Sequence, residues 1–207
     1  MDQTQIANVA LQMLGEKQIS QIDEGTPLSI RVLNLWDATW QMFLEGHDWR
    51  FARKLTTLAT VGTDPSVDWT YAYTKPTDCL MPRFLIPTNA SGQQSSSLID
   101  GVTPYPFEVI GTEIYTDLES AMLRYTYNVD NYNLVPGTAV MGFAATLARN
   151  LAIGVTGSKA MSKIREQLKE DWTYLMSEAI RVNDSQDNLE HIDKTYKALN
   201  PWQAARS

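Results

Sequence analysis

The stretch EGHDWRFARK, residues 45–54, sets His47 and Asp48 beside Trp49, Arg50 and Arg53. A histidine next to a carboxylate suits general base catalysis. Nucleophilic chemistry also needs a Ser, Cys or Thr within hydrogen-bond reach of that histidine, and a third group to orient the ring. No local spacing supplies either, so the stretch reads as a joint between two elements. Gly46 ends a helix, Trp49 and Phe51 tuck under it, and Arg50, Arg53 and Lys54 stay hydrated or pair with acids. His191 stands near Glu190 and Asp193, a combination able to ligate a metal. Two histidines and one cysteine without C-x-x-C or H-x-x-x-H spacing do not make a structural zinc site, however, and His191 reads as a surface residue.

Three further groups have chemistry in their types. Cys79, in PTDCLMP, has no histidine nearby in sequence and reads as a buried small hydrophobe. Asp117, Glu119 and Asp130 would serve a carbohydrate- or cell-wall-active module if two of them faced one cleft at a set separation; as acids at strand ends they also read as turn formers. GVTGSKAMSK has the wrong spacing for a phosphate-binding loop and reads as a glycine helix stop followed by a serine helix start. The tyrosines of WTYAYTKP and RYTYNVDNY could stack on bases or sugars, but basic residues are sparse around them and tyrosine is an ordinary strand former. No catalytic residue, cofactor or metal site is expected, and the chain is not read as an enzyme.

The elements that position these residues follow from periodicity. Asp2 and Gln5 form a capping-box pattern, after which Ile6, Val9, Ala10 and Met13 recur at helical spacing as far as Gly15. Thr26 caps a second helix with Pro27 at its first position, and Leu28, Val32, Leu35, Trp36, Trp40 and Phe43 make its stripe up to Gly46. From about residue 55 to 134 short runs bounded by Pro, Gly, Ser and Asn predict strands, among them LRYTYNV and a hairpin in FEVIGTEIYTD with Gly111-Thr112 at the turn. NASGQQSSS, residues 89–97, reads as a loop. Val140, Phe143, Ala144, Leu147, Ala148, Leu151, Ala152 and Val155 predict a third helix, with Gly142 and several alanines allowing close approach of a partner. A fourth helix, capped by Ser158, runs toward Asp187 with Met161, Ile164, Leu168, Trp172, Leu175, Ala179 and Val182 inward, and Lys163, Glu166, Lys169 and Glu170 outward.

The expected fold is mainly α with a β insertion (α+β). Residues 1–50 and 135–187 form a discontinuous helical bundle from the N- and C-terminal helix pairs, 51–134 a β-rich insertion, and 188–207 an extended C-terminal tail. With 43% hydrophobic residues among 207 the chain can bury a sizeable core. Its net charge of -7 would repel a polyanion, so no sequence-specific nucleic-acid binding is expected. One cysteine allows no internal disulfide, and the N-terminal segment lacks the pattern of a signal peptide. No run approaches the ~18 apolar residues of a membrane span. A protein that is not exported, with no membrane partner, is the expectation.

Several segments, in order, resemble the tail tubular protein A family of short-tailed bacteriophages, which are head-to-tail adaptors: VALQMLGEKQISQIDEGT, DWRFARKLTTLAT, YAYTKPTDCLMPRFLI, EIYTDLESAMLRYTYNVDNY and GFAATLARNLAIGVTGS. The resemblance covers most of residues 5–185. It implies a structural protein of the virion tail, made in the cytoplasm of a bacterial host, with no enzymatic role. It implies a homo-oligomeric ring of twelve copies through which DNA passes, between the portal protein and the tail nozzle protein, with tail fibres or spikes as further candidate partners. It also implies that the C-terminal segment reaches the portal. Tyr196, Leu199 and Trp202 are the candidate anchors there, as large apolar side chains in a polar segment. The alternative from another class is a carbohydrate- or cell-wall-active tail component carried by the β-rich insertion.

Overall fold

A computed structural model describes residues 1–61, 68–88, 105–153 and 159–185, and the side chains of all these except 153 and 159–165. The fold is mixed α and β, with four helices and two small antiparallel sheets among the described residues. The chain divides into two compact units. One contains Met1–Phe51 and Val129–Ser185, and the other contains Ala52–Asn128.

In the first unit, α1 (Gln3–Leu14) opens on the capping box: Asp2 Oδ1 accepts from the Gln5 amide at 2.8 Å and Gln5 Oε1 accepts from the Asp2 amide at 2.9 Å. Two otherwise orphaned backbone donors are thereby satisfied. Gly15, at φ 73, closes the helix in the left-handed conformation that glycine adopts without steric cost. The buried face is turned from the expected stripe. Ile6, Ala7, Ala10, Leu11 and Leu14 face inward, while Val9 and Met13 are only half-buried.

Helix α2 (Pro27–Glu45) begins with Thr26 accepting from the Ser29 amide and Pro27 at N1, where its missing N–H costs nothing. Helix α3 (Gly137–Ile153) is buried almost all round, as a helix packed on several sides must be. It is the hub, since α1, α2 and α4 (Lys159–Ser185) each pack against it. On α4, Leu168 and Ala179 are buried, Trp172, Leu175 and Val182 half-buried, and Glu166, Lys169 and Glu170 exposed. The side chains of Met161, Lys163 and Ile164, the cap at Ser158 and the loop 89–97 lie outside the described residues.

A Cβ on Gly142 would meet Met176 Sδ at 3.2 Å and Ala179 Cβ at 3.4 Å, so the glycine sets the approach of α3 to α4. The core between α2 and α3 is aromatic. Trp36, Trp40 and Phe43 each pack edge-on against Phe143, and Phe43 stacks on Trp49 with centroids 4.6 Å apart. Each indole N–H in this cluster has an acceptor: Trp36 donates to Tyr132 Oη at 2.9 Å, Trp40 to the Val129 carbonyl at 2.9 Å, and Trp49 to the Phe43 carbonyl at 2.8 Å. Buried tryptophan requires such partners.

The second unit holds two three-stranded sheets over one core. The first has the order β1 (Arg53–Thr57), β6 (Ala121–Tyr127), β3 (Cys79–Pro87); the second has β2 (Tyr71–Thr74), β5 (Glu113–Thr116), β4 (Glu108–Ile110). All pairs are antiparallel. Leu85, Leu123 and Tyr125 of the first sheet meet Tyr73 and Ile114 of the second in the shared core. Gly111, at φ 62, opens the two-residue turn between β4 and β5, with Thr112 at negative φ, the pattern of a type II′ hairpin.

The strand expected over 123–129 runs instead over 121–127. Val129 leaves it because its carbonyl is taken by Trp40 in the first unit. Thr126 is also fully buried, its hydroxyl accepting from Arg83 Nε at 2.9 Å, so the outward face of this strand is not a solvent face.

Candidate functional site

His47 is held against the end of α4. Its Nε2 lies 3.0 Å from Asp184 Oδ1 and 3.2 Å from Asn183 Nδ2, both at the end of α4, and its ring packs edge-on to Trp49. Asn183 is 8% exposed and works as a clamp. Its Oδ1 accepts from the Arg50 amide at 2.9 Å, and its Nδ2 donates to the Asp48 carbonyl at 3.2 Å. One amide side chain thus satisfies the backbone on both sides of Trp49 and holds the chain leaving α2 against α4. The expected joint is present, but the residue that makes it was not foreseen. Its signal is a polar residue at an inward position of α4, since Asn183 follows Ala179 by four on the apolar stripe.

The other candidates are also held by structural contacts. Cys79 is 6% exposed, and burial pushes its thiol up to about 11, with the Lys75 charge acting the other way. Beside it, Asp78 braces the first sheet, receiving Lys54 Nζ at 2.6 Å and the Tyr125 hydroxyl at 2.9 Å. The Lys54 hydrogen bond holds this carboxylate below its ordinary range against the opposing effect of burial, and Tyr125 adds to the lowering. Burial and the Asp78 carboxylate raise the Tyr125 phenol. Lys54 also stands 4.0 Å over the Tyr127 ring.

Of the three acids considered for a glycoside chemistry, Asp117 accepts from the Thr70 amide and hydroxyl at 3.0 and 2.7 Å, a long-range tie across 47 residues rather than a local turn. Glu119 offers its backbone carbonyl to the Tyr73 hydroxyl at 2.7 Å. Asp130 belongs to the first unit, whereas Asp117 and Glu119 belong to the second. Among the described residues, no group of three His, Cys, Asp or Glu side chains is placed to hold a metal ion, and no helix is long and apolar enough to cross a membrane. Glu190, His191, Asp193, Tyr196, Leu199 and Trp202 lie outside the described residues.

A cavity of about 400 Å³ opens between α3 and α4, lined among the described residues by Arg149, Ala152, Leu168, Lys169, Trp172 and Glu166. Arg149 stacks on Trp172 at 4.5 Å, and Trp172 Nε1 donates to the Thr146 hydroxyl at 2.9 Å. Among the described residues of this wall, Glu166 is the one carboxylate.

A further exposed surface surrounds the 3₁₀ turn Tyr132–Leu134. Tyr132 is gripped by Trp36 and Trp40, with ring centroids at 5.6 and 5.4 Å. Burial raises its phenol, the Trp36 hydrogen bond opposes this, and the nearby Asp37 and Asp130 charges add to the rise. Asp37 is therefore on the flank of α2 that meets the turn, and Leu33 and Ile30 continue that flank four and seven residues earlier. Leu134 is 54% exposed, Ile30 48% and Leu33 46%. Met1, 48% exposed, joins them through its nitrogen, which donates to Asn133 Oδ1 at 3.1 Å. Exposed apolar side chains are thus present on the turn and on α2, with the exposed Asp37 and Asp130 near Tyr132. Neither a scan against protein-family models nor a search of the curated proteins finds a match for this chain.

Proposed function

We propose that this chain is a non-enzymatic adaptor of a short-tailed bacteriophage particle, a ring-forming component between portal and tail nozzle. The observation that carries the reading is the ordered resemblance, together with what its segments do in the fold. VALQMLGEKQISQIDEGT supplies the Gly15 stop and the Thr26 cap, and DWRFARKLTTLAT supplies the joint and β1. YAYTKPTDCLMPRFLI forms β2 and β3, and EIYTDLESAMLRYTYNVDNY runs from β5 through β6 to Tyr132. GFAATLARNLAIGVTGS carries most of the hub helix. The similarity therefore lies in residues that build a scaffold, as expected of a protein that works through its surfaces.

On this reading the four helices act as a bundle that braces a ring of twelve copies, and the β-rich unit faces the tail components. Residues 188–207 extend to the portal, with Tyr196, Leu199 and Trp202 as anchors. Such a segment becomes ordered at the expense of binding energy, which a partner surface supplies. Electron microscopy of the chain mixed with its cognate portal tests this. A closed ring seated on the portal is expected, and its absence at saturating concentration defeats the proposal. Deleting residues 188–207 should leave the thermal unfolding of the isolated chain nearly unchanged and abolish portal binding.

A further inference from the structure

The second sheet of the β-rich unit ends in an open edge. Among the described residues β4 pairs with β5 alone, and its three residues are all exposed, Val109 at 39% and Ile110 at 51%. In a two-residue hairpin the residues flanking the turn exchange both backbone hydrogen bonds, so Ile110 and Glu108 direct theirs to β5. The N–H and C=O of Val109, between them, point away from β5. Its side chain shares a face with Ile114 and Tyr73, both buried in the core, so a further strand beside Val109 would extend that core outward.

The opposite face selects which strand can be added. Glu108, Ile110, Glu113 and Tyr115 share it. The Glu108 carboxylate accepts from Trp69 Nε1 at 3.0 Å and the Glu113 carboxylate accepts from the Tyr115 hydroxyl, both neutral donors. Neither carboxylate meets a cation among the described residues, and β2, β4 and β5 contain no Lys or Arg. Two such carboxylates beside an edge attract a basic strand and repel a second copy of a chain whose net charge is -7.

We infer that β4 takes an added strand from a tail component: an extended segment with an apolar residue beside Val109, flanked by one Lys or Arg opposite Glu108 and another reaching over Ile110 toward Glu113. The Val109 N–H and C=O supply the main-chain bonds, its side chain the apolar contact, and the two carboxylates the preference for base. The stem of the second basic side chain covers Ile110. The inference rests on the adaptor reading only for the source of the segment, and strand addition itself needs no portal.

The test uses the full chain and two synthetic peptides, one alternating Lys with Val and one alternating Glu with Val. Followed by NMR, exchange of the Val109 amide with solvent should slow on adding the basic peptide and stay unchanged with the acidic one. Val109→Pro removes the outward N–H at a position outside the β5 ladder, where an edge strand tolerates proline. It should abolish binding and leave the unfolding midpoint of the chain nearly unchanged. Glu108→Gln combined with Glu113→Gln should weaken binding about threefold to tenfold and remove most of its salt dependence. An unprotected Val109 amide in the unsubstituted chain, equal binding of the two peptides, or binding that survives Val109→Pro each overturn the inference. Protection of Val109 that grows with protein concentration alone assigns the edge to a second copy and overturns it too. A chain that protects Val109 yet forms no ring on the portal sinks the adaptor reading and keeps strand addition; a ring on the portal without that protection does the reverse.

Discussion

Arg50 and Asn183 are joined by a 2.9 Å hydrogen bond from the Arg50 amide to Asn183 Oδ1, linking residues 133 apart in sequence. The same side chain reaches the Asp48 carbonyl, so both backbone groups depend on one buried amide. This bond explains how the chain leaves α2 at a fixed angle although Gly46, in right-handed helical geometry, sets no left-handed stop.

Asn183→Ala leaves the Arg50 N–H and the Asp48 C=O without that partner in a part-buried setting, at a cost of roughly 1–3 kcal/mol. The urea midpoint should fall by that amount with an unchanged slope. Asp184→Ala removes an exposed acceptor shared by His47 and the Asn183 amide but leaves the Arg50 and Asp48 bonds in place, and should cost less than about 1 kcal/mol. Equal effects from the two substitutions would refute the clamp.

Asp78 links stability to pH. Its carboxyl is held low in the folded state by Lys54, so its contribution is present above the unfolded value of about pH 4 and is lost as pH falls through the lower folded value. Asp78→Asn should therefore lower stability at neutral pH and flatten the acid limb of the unfolding curve. The loss should stay below about 1 kcal/mol, because both partners are nearly half exposed. Parallel acid limbs for the two proteins would show that the brace carries no proton linkage.

What sequence made legible here was local. The capping box at Asp2 and Gln5, Pro27 after Thr26, Gly111 in the hairpin and Gly142 on α3 each act within a few residues of themselves or through the lack of a side chain. Val129, Tyr132 and Asn183 act through partners about 90 to 140 residues away, and no period reveals those. The inward stripe of α1 was off by one position because Val9 and Ala7 exchange places once α3 fixes which side is covered.

Cys79 should behave as a buried thiol. With its pKa pushed up to about 11 and 6% exposure, it should react with iodoacetamide at pH 8 many-fold more slowly than in urea-unfolded protein. The rate should track opening of the β-rich unit, and a rate equal to that of an exposed thiol would contradict the placement of β3 in the core.

Gly142 lets α3 approach α4, and size at this position tests how close that approach is. Gly142→Ala places a methyl 3.2 Å from Met176 Sδ and 3.4 Å from Ala179 Cβ. The methionine can turn aside, and alanine gains about 1 kcal/mol of helix propensity over glycine, so the net change should be within about 1 kcal/mol of zero. Gly142→Leu cannot be absorbed by one rotamer change and should destabilise by roughly 1–3 kcal/mol. Combining it with Met176→Ala opens space where the leucine must go, so the double variant should lose less than the sum of the two single losses. Strict additivity in that cycle would mean that the two side chains do not share the space and that α3 and α4 stand further apart than described.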